Sequence, residues 1–260
     1  NSNIIYVAAS GHLYSNDTIR GIYKSTDAGL NWNRVLFVND STAAIDVDVD
    51  PTDINIVYAT FFERMRSRTY RKAAGKSSGI YKTTDGGNTW AQMTNGLPAG
   101  NPKIGRISVA VAKSNSNYVY ALYKEAETNY GTNNGFHGFF RSTNKGNSWT
   151  KMPNGNLPGE FSSFGWYFGL IDVDPTDHNK VYIGEVDLMY SPNGGNSWTN
   201  ITNAYSVYDD SQHPDQHSLW INPDSPEMLI NGNDGGLFIT TNRGSVWRKC
   251  YDLPISQFYA

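Results

Sequence analysis

A single cysteine in 260 residues, Cys250, excludes an internal disulfide and leaves a thiolate metal site or redox pair without a second ligand. Compartment therefore cannot be read from cysteine. Charge is scarce too. Charged residues make up 17% of the chain and aromatics 13%, the reverse of a disordered tail. The same shortage argues against a helical bundle, whose surface needs Glu and Lys in quantity. Neither sign dominates: Lys+Arg 21 stands against Asp+Glu 24, a formal charge of −3, so nucleic acid is not an expected partner. No apolar run approaches the roughly 18 residues that a bilayer span needs, and none is expected to cross a membrane. The chain opens at Asn1 without Met or a signal peptide, the expectation for a processed or trimmed product. No cofactor or metal is assigned.

What is present is Gly 25, Tyr 17 and Trp 7, together with a repeat that decides the fold. Ser25-Thr26-Asp27-Ala28-Gly29-Leu30-Asn31-Trp32 recurs as Thr83-Thr84-Asp85-Gly86-Gly87-Asn88-Thr89-Trp90 and as Ser142-Thr143-Asn144-Lys145-Gly146-Asn147-Ser148-Trp149. Two further copies are Ser191-Pro192-Asn193-Gly194-Gly195-Asn196-Ser197-Trp198 and Thr240-Thr241-Asn242-Arg243-Gly244-Ser245-Val246-Trp247. Successive tryptophans lie 58, 59, 49 and 49 residues apart, too regular for chance. Before each copy runs a short apolar strand such as Gly79-Ile80-Tyr81. Earlier comes a second such as Asn55-Ile56-Val57-Tyr58, and before that a third ending in an Asp-Pro or Asn-Pro turn, as in Ile45 to Pro51 or Leu219 to Pro223. A fourth starts at each box tryptophan. Period-two alternation with Gly-Gly and Asp-Pro punctuation reads as β throughout. Four short antiparallel strands repeating every 50 to 60 residues predict an all-β fold, a β-propeller of five blades over residues 1–260.

Within the box, the third-position Asp or Asn can accept hydrogen bonds from turn N–H groups, and Gly supplies a positive φ. The tryptophan suits the gap between blades, with a large apolar face and one N–H. Asp27, Trp32, Asp85, Trp90, Asn144, Trp149, Asn193, Trp198, Asn242 and Trp247 are thus structural residues. The pattern S/T-x-D-x-G-x-x-W resembles the Asp-box, or BNR repeat, of sialidases, sortilin-type ectodomains, xyloglucanase-type glycosidases and photosystem assembly factors. The resemblance covers essentially the whole chain and implies a propeller; it leaves function open, since enzymes and binding proteins share the box. The stretch from His217 to Tyr259 also resembles large secreted bacterial BNR-repeat proteins that run on well past this point. A piece of a larger propeller, with further blades as partners and an extracellular or cell-surface location, is what that resemblance implies. The alternative is a closed ring of five, with Ile255–Tyr259 pairing beside Ile4–Tyr6.

Topology sorts the loops. Box turns and Asp-Pro turns share one face, and every long loop falls on the other, where extra length usually serves function. Three groups stand out there. His213-Pro214-Asp215-Gln216-His217, if extended, would bring two imidazoles and a carboxylate together for proton transfer or a cation; the plainer reading is a polar strand entry, and no metal is claimed. Trp166 and Tyr167, with Trp220 one blade on, offer faces for a sugar ring or a peptide anchor, or else fill the blades. Arg64, Arg66 and Arg68 belong to a loop from Glu63 to Lys76 with six cations and one counter-charge, suited to a carboxylate or sulfate, or simply solvated.

Sialidase chemistry needs an early Arg-Ile-Pro-type motif, which is missing. The xyloglucanase-like resemblance implies two carboxylates flanking the scissile bond. Asp234, in Asn233-Asp234-Gly235-Gly236, is similar to the setting of one such acid. Asp85 matches the other by letters but belongs to a box, which leaves Asp215 as the second candidate. Two expectations therefore stand: a secreted or surface module binding glycan or protein through its long-loop face, or a glycoside hydrolase, whole or part, using Asp234 and Asp215.

Overall fold

The computed structural model describes residues 2–69, 71–126, 135–154, 157, 167–204, 212–251 and 253, and they are all-β. Blade one has three strands, β1 (Ile5–Ala9), β2 (Gly21–Ser25) and β3 (Asn33–Leu36). Blade two has β4 (Thr42–Val49), β5 (Val57–Glu63), a hairpin of β6 (Met65–Arg66) and β7 (Arg71–Lys72), then β8 (Gly79–Thr83) and β9 (Ala91–Gln92). Blade three is β10 (Ile104–Val111), β11 (Val119–Glu125), β12 (Phe136–Ser142) and β13 (Thr150–Lys151). Blade four is β14 (Leu170–Val173), β15 (Val181–Gly184), β16 (Leu188–Ser191) and β17 (Thr199–Asn200). Blade five is β18 (Gln216–Ile221), β19 (Leu229–Asn233), β20 (Gly236–Thr240) and β21 (Arg248–Lys249). The last four sheets are four-stranded antiparallel meanders, as the repeat predicts. The expected strand Ile255–Tyr259, on which ring closure was to turn, lies outside the described residues, as do Trp166 and Tyr70.

Second strands are the most deeply buried. Every residue of β5 is buried, because one blade face packs on the preceding blade and the other on the next. That is why Val57-Tyr58-Ala59-Thr60-Phe61-Phe62 reads as a continuous run rather than an alternation. Inner strands β4, β10, β14 and β18 lie successively side by side. Outer strands are short and largely exposed, and each begins directly after its box tryptophan.

The box works as its residues suggest. Asp27, Asp85, Asn144, Asn193 and Asn242 each accept, through Oδ1, the N–H four residues on at 2.9 Å. The box Ser or Thr hydroxyl accepts the glycine N–H at 2.8–3.1 Å. The fifth-position glycines hold φ between 78° and 95°, where a Cβ is strained. Hydrogen bonding, first from Asn31 and Thr89 side chains respectively, holds Asp27 and Asp85 down at about 2.

Neighbouring blades are clamped through the same box. Tyr6 Oη and Lys24 Nζ both donate to the Gly86 carbonyl, at 2.8 and 2.7 Å. One blade on, Tyr58 and Lys82 repeat this on the Lys145 carbonyl at 2.8 and 2.6 Å. At the next junction Arg141 reaches the Gly194 carbonyl and Tyr120 that of His178. Between blades four and five Arg243 turns back onto the Tyr182 hydroxyl at 2.7 Å and the Asp174 carboxylate at 3.0 Å. Box tryptophans complete the seams: Trp90, Trp149, Trp198 and Trp247 each join an apolar cluster with residues of the preceding blade. Trp32, in blade one, is 40% exposed.

Candidate functional site

Lys145 of box three pairs with Asp50 of an Asp-Pro turn at 2.9 Å, which puts boxes and Asp-Pro turns on one face. The longer loops gather at the other, and two of them are firmly built. In the blade-one loop, Asp17 accepts the His12 and Ile19 N–H groups at 2.8 and 2.9 Å. Beside it the fully buried Arg20 donates to the carbonyls of His12, Ser15 and Arg64. The basic loop of blade two, open to a reading as merely solvated, is folded as the β6–β7 hairpin. Glu63 anchors its base, pairing with Lys72 and accepting the Ser77 N–H at 3.0 Å and hydroxyl at 2.8 Å.

Between these loops lies a cavity of about 280 Å³ lined from all five blades. Blade one contributes Leu13, and blade two Phe62, Arg64, Met65, Arg66, Arg71, Lys72 and Ala73. Arg106 comes from β10, Tyr167 from the approach to β14 and His217 from β18. Arg106 donates through Nη1 to the Tyr167 carbonyl at 2.8 Å, which ties blade three to that approach. Burial, then the nearby Arg64 charge, lowers the Arg106 pKa against the opposing pull of Asp46. Burial and Arg20 likewise lower that of Arg64.

At the cavity edge His217 Nε2 meets Asp234 Oδ1 at 2.7 Å. The imidazole stands edge-on to Tyr167, with centroids 6.0 Å apart, and tilted against Phe168 at 5.3 Å. Asp215 lies within electrostatic reach; burial, then the Asp234 charge, raises its pKa against the opposing pull of His217 and His213. Beneath, the side chains of Gln212, Gln216, Asn231 and Asn233 form an amide network. Asn231 donates to Gln212 at 2.8 Å, Asn233 to Gln212 at 2.7 Å, and Gln216 to the Val186 carbonyl at 2.7 Å.

Tyr167, Arg64, Arg66 and His217 are thus brought together, with Asp234 bonded to His217. Arg68 sits in the exposed hairpin turn and Trp220 stands 48% exposed on β18; neither lines this cavity. The segment His213–His217 departs from the extended strand expected of it. Asp215 adopts φ 73° and β18 starts only at Gln216, so alternation does not place both imidazoles on one side. His213 instead folds over Gly235 and its Nδ1 lies 3.0 Å from the Pro214 carbonyl oxygen. Among the described residues no three His, Cys, Asp or Glu side chains are grouped to hold a metal ion, and no helix is long and apolar enough to cross a membrane. Sequence reasoning missed Arg106. Its signal was a lone cation inside the apolar run Ile104-Gly105-Arg106-Ile107.

Blades stapled and clamped by five such boxes define an Asp-box β-propeller. No protein-family model matches the chain. It is similar to a probable oligoxyloglucan-reducing end-specific xyloglucanase of Neosartorya fischeri, 23% identical over 199 residues, which cover 75% of this chain and 22% of that protein. Among solved structures it resembles an ancestral GH74 enzyme at 20% identity and TM-score 0.64, over 95% of this chain and 29% of the enzyme. It also resembles YCF48 from Cyanidioschyzon merolae at 16% identity and TM-score 0.51, over 80% of this chain and 56% of that one. The chain thus spans less than a third of the first two of these proteins. These likenesses establish the fold.

Proposed function

We propose that this chain is a ligand-binding propeller module that presents its long-loop face to a glycan or a protein, outside the cell or at its surface. One observation carries the reading: a cavity on that face takes side chains from all five blades, with Tyr167 52% exposed beside it. Residues 1–260 act as one unit within a larger propeller protein. That part of the reading rests on the small share of its relatives the chain spans and on Trp32, exposed where its counterparts pack on a preceding blade. Binding to glycan and peptide arrays tests the role. The expected result is a ligand whose capture falls about tenfold in Tyr167→Ala, the loss of one aromatic anchor. Capture unchanged in that variant would move the site elsewhere.

The hydrolase reading is favoured by a separate observation, the contact of Asp234 with His217 and the raised pKa of Asp215 beside them. A pair of neighbouring carboxylates is what acid–base cleavage of a glycosidic bond requires. Release of reducing ends from xyloglucan oligosaccharides, abolished by Asp234→Asn, would establish it. Binding without turnover would leave the module reading in place.

A further inference from the structure

We infer that the outward face of blade five docks a further sheet of the same polypeptide, one that brings apolar side chains and no Asp-box. The inference rests on the reading that residues 1–260 belong to a larger propeller, and it names what covers blade five. In blades one to four, the face turned to the next blade carries a cross-strand pair with polar tips. Tyr6 pairs with Lys24, Tyr58 with Lys82, Tyr120 with Arg141 and Tyr182 with Tyr190. At every one of the four seams a tip from this pair bonds the fourth residue of the next box, which is Gly86, Lys145, Gly194 and Arg243 in turn. Register places Ile230 and Ile239 at the same two positions of blade five. Neither side chain can donate or accept a hydrogen bond, so a box seated there would forgo the bond that all four seams of this chain make.

The neighbouring positions change in the same sense. On the inner strands, Asp48, Ala110 and Asp172 stand opposite Tyr58, Tyr120 and Tyr182; in blade five Trp220 stands opposite Ile230. On β20, Leu237 takes the place of Ile22, Ile80, Phe139 and Leu188, all of them fully buried by the next blade's packing. Leu237, Ile230 and Ile239 are only half-buried, and Trp220 is 48% exposed. None of the four joins an apolar cluster with another blade among the described residues. Four large apolar side chains on one sheet face, with no charge among them, mark a surface made to be covered. Continuity with the four seams decides the occupant, because on blades one to four this face is covered by the next sheet of the same chain. The chain also spans only 22% and 29% of two proteins it resembles, which leaves polypeptide to supply that sheet. Trp220, which does not line the long-loop cavity, is on this reading the anchor of an inter-sheet contact.

Photo-crosslinking in the full-length protein tests this, with p-benzoylphenylalanine in place of Trp220 and the product mapped by mass spectrometry. The expected product is a link within one molecule to a stretch C-terminal to β21 that lacks the S/T-x-D-x-G-x-x-W pattern. A link to a following box overturns the inference and leaves the larger propeller standing. A link to blade one of the same molecule, closing five blades into a ring, overturns both. A link between two molecules overturns the inference in favour of self-association. Coverage is read separately by maleimide labelling of Trp220→Cys and Ile54→Cys, each combined with Cys250→Ser, since the two native side chains are 48% and 43% exposed. Trp220→Cys should react at least about tenfold more slowly than Ile54→Cys, because labelling must await opening of the docked sheet. Equal rates, or the absence of any link, overturn the docking while the larger-propeller reading keeps its other support.

Discussion

Asp48 gives the sharpest test of how the inner strands are held. It lies on β4, and its carboxylate reaches across to the next blade, accepting the Val111 N–H at 2.7 Å. Its other oxygen accepts the Val49 N–H at 2.8 Å. Burial dominates over these bonds, and with Asp46 and Asp172 as like-charged neighbours it raises the group from 3.8 to about 7. A carboxylate with a raised folded pKa favours the fold while protonated. Its contribution is complete below the unfolded value near 3.8 and is lost as pH rises through about 7. At about 1.4 kcal/mol per pH unit, the ionised form costs the fold on the order of 4 kcal/mol at high pH. About 2–3 kcal/mol of that falls between roughly pH 5 and 8. Asp48→Asn cannot ionise and keeps one acceptor oxygen. The stability of Asp48→Asn relative to wild type should therefore grow by about 2–3 kcal/mol from pH 5 to pH 8, read by urea denaturation at each pH. Titrating groups not coupled to Asp48 cancel in that difference, while Asp46 and Asp172, coupled to it, contribute to the change that is read. A difference constant across the range would refute the argument: Asp48 would then be ionised throughout, with its two N–H bonds outweighing its burial.

Three further outcomes follow from the clamps and the core. Tyr58→Phe removes one of two donors to the Lys145 carbonyl from a fully buried ring, and should cost about 0.5–1.5 kcal/mol in urea denaturation. Gly87→Ala places a Cβ at φ 95° with its nearest neighbour 3.5 Å away, so backbone strain rather than collision should cost roughly 1–2 kcal/mol in thermal unfolding. Lys124 on β11 pairs with Glu185, both 1% exposed, and burial holds the lysine well below its usual range. Lys124→Met should cost about 3–5 kcal/mol by stranding the glutamate, and Lys124→Met with Glu185→Leu should recover most of it.

How much of this could be read from residues alone depends on the range over which each contact acts. The box is local: Ser25, Asp27, Gly29 and Asn31 bond one another within seven positions, so the letters carry the geometry and five copies expose the fold. The clamps are partly local, since Tyr58 and Lys82 sit at fixed places in the repeat, yet their acceptor lies in another blade and only the fold supplies it. The cavity belongs to neither kind. Leu13, Arg64, Arg106, Tyr167 and His217 come from unequal loops and strands, at spacings that recur nowhere in the chain. His217 shows the limit most clearly. Strand alternation groups it with His213, but the left-handed turn at Asp215 redirects the chain and gives it Asp234, 17 residues on, as partner. A repeat fixes where each blade must agree with the others. The cavity is built from the loops, where the blades are free to differ, and one sequence alone cannot say which differences converge. The Glu63–Lys72 pair at the hairpin base is the instructive exception: both charges are visible as a run, but only folding turns a stretch with six cations into an ordered wall with four of them lining one cavity, and that ordering is what separates a cavity wall from a solvated loop.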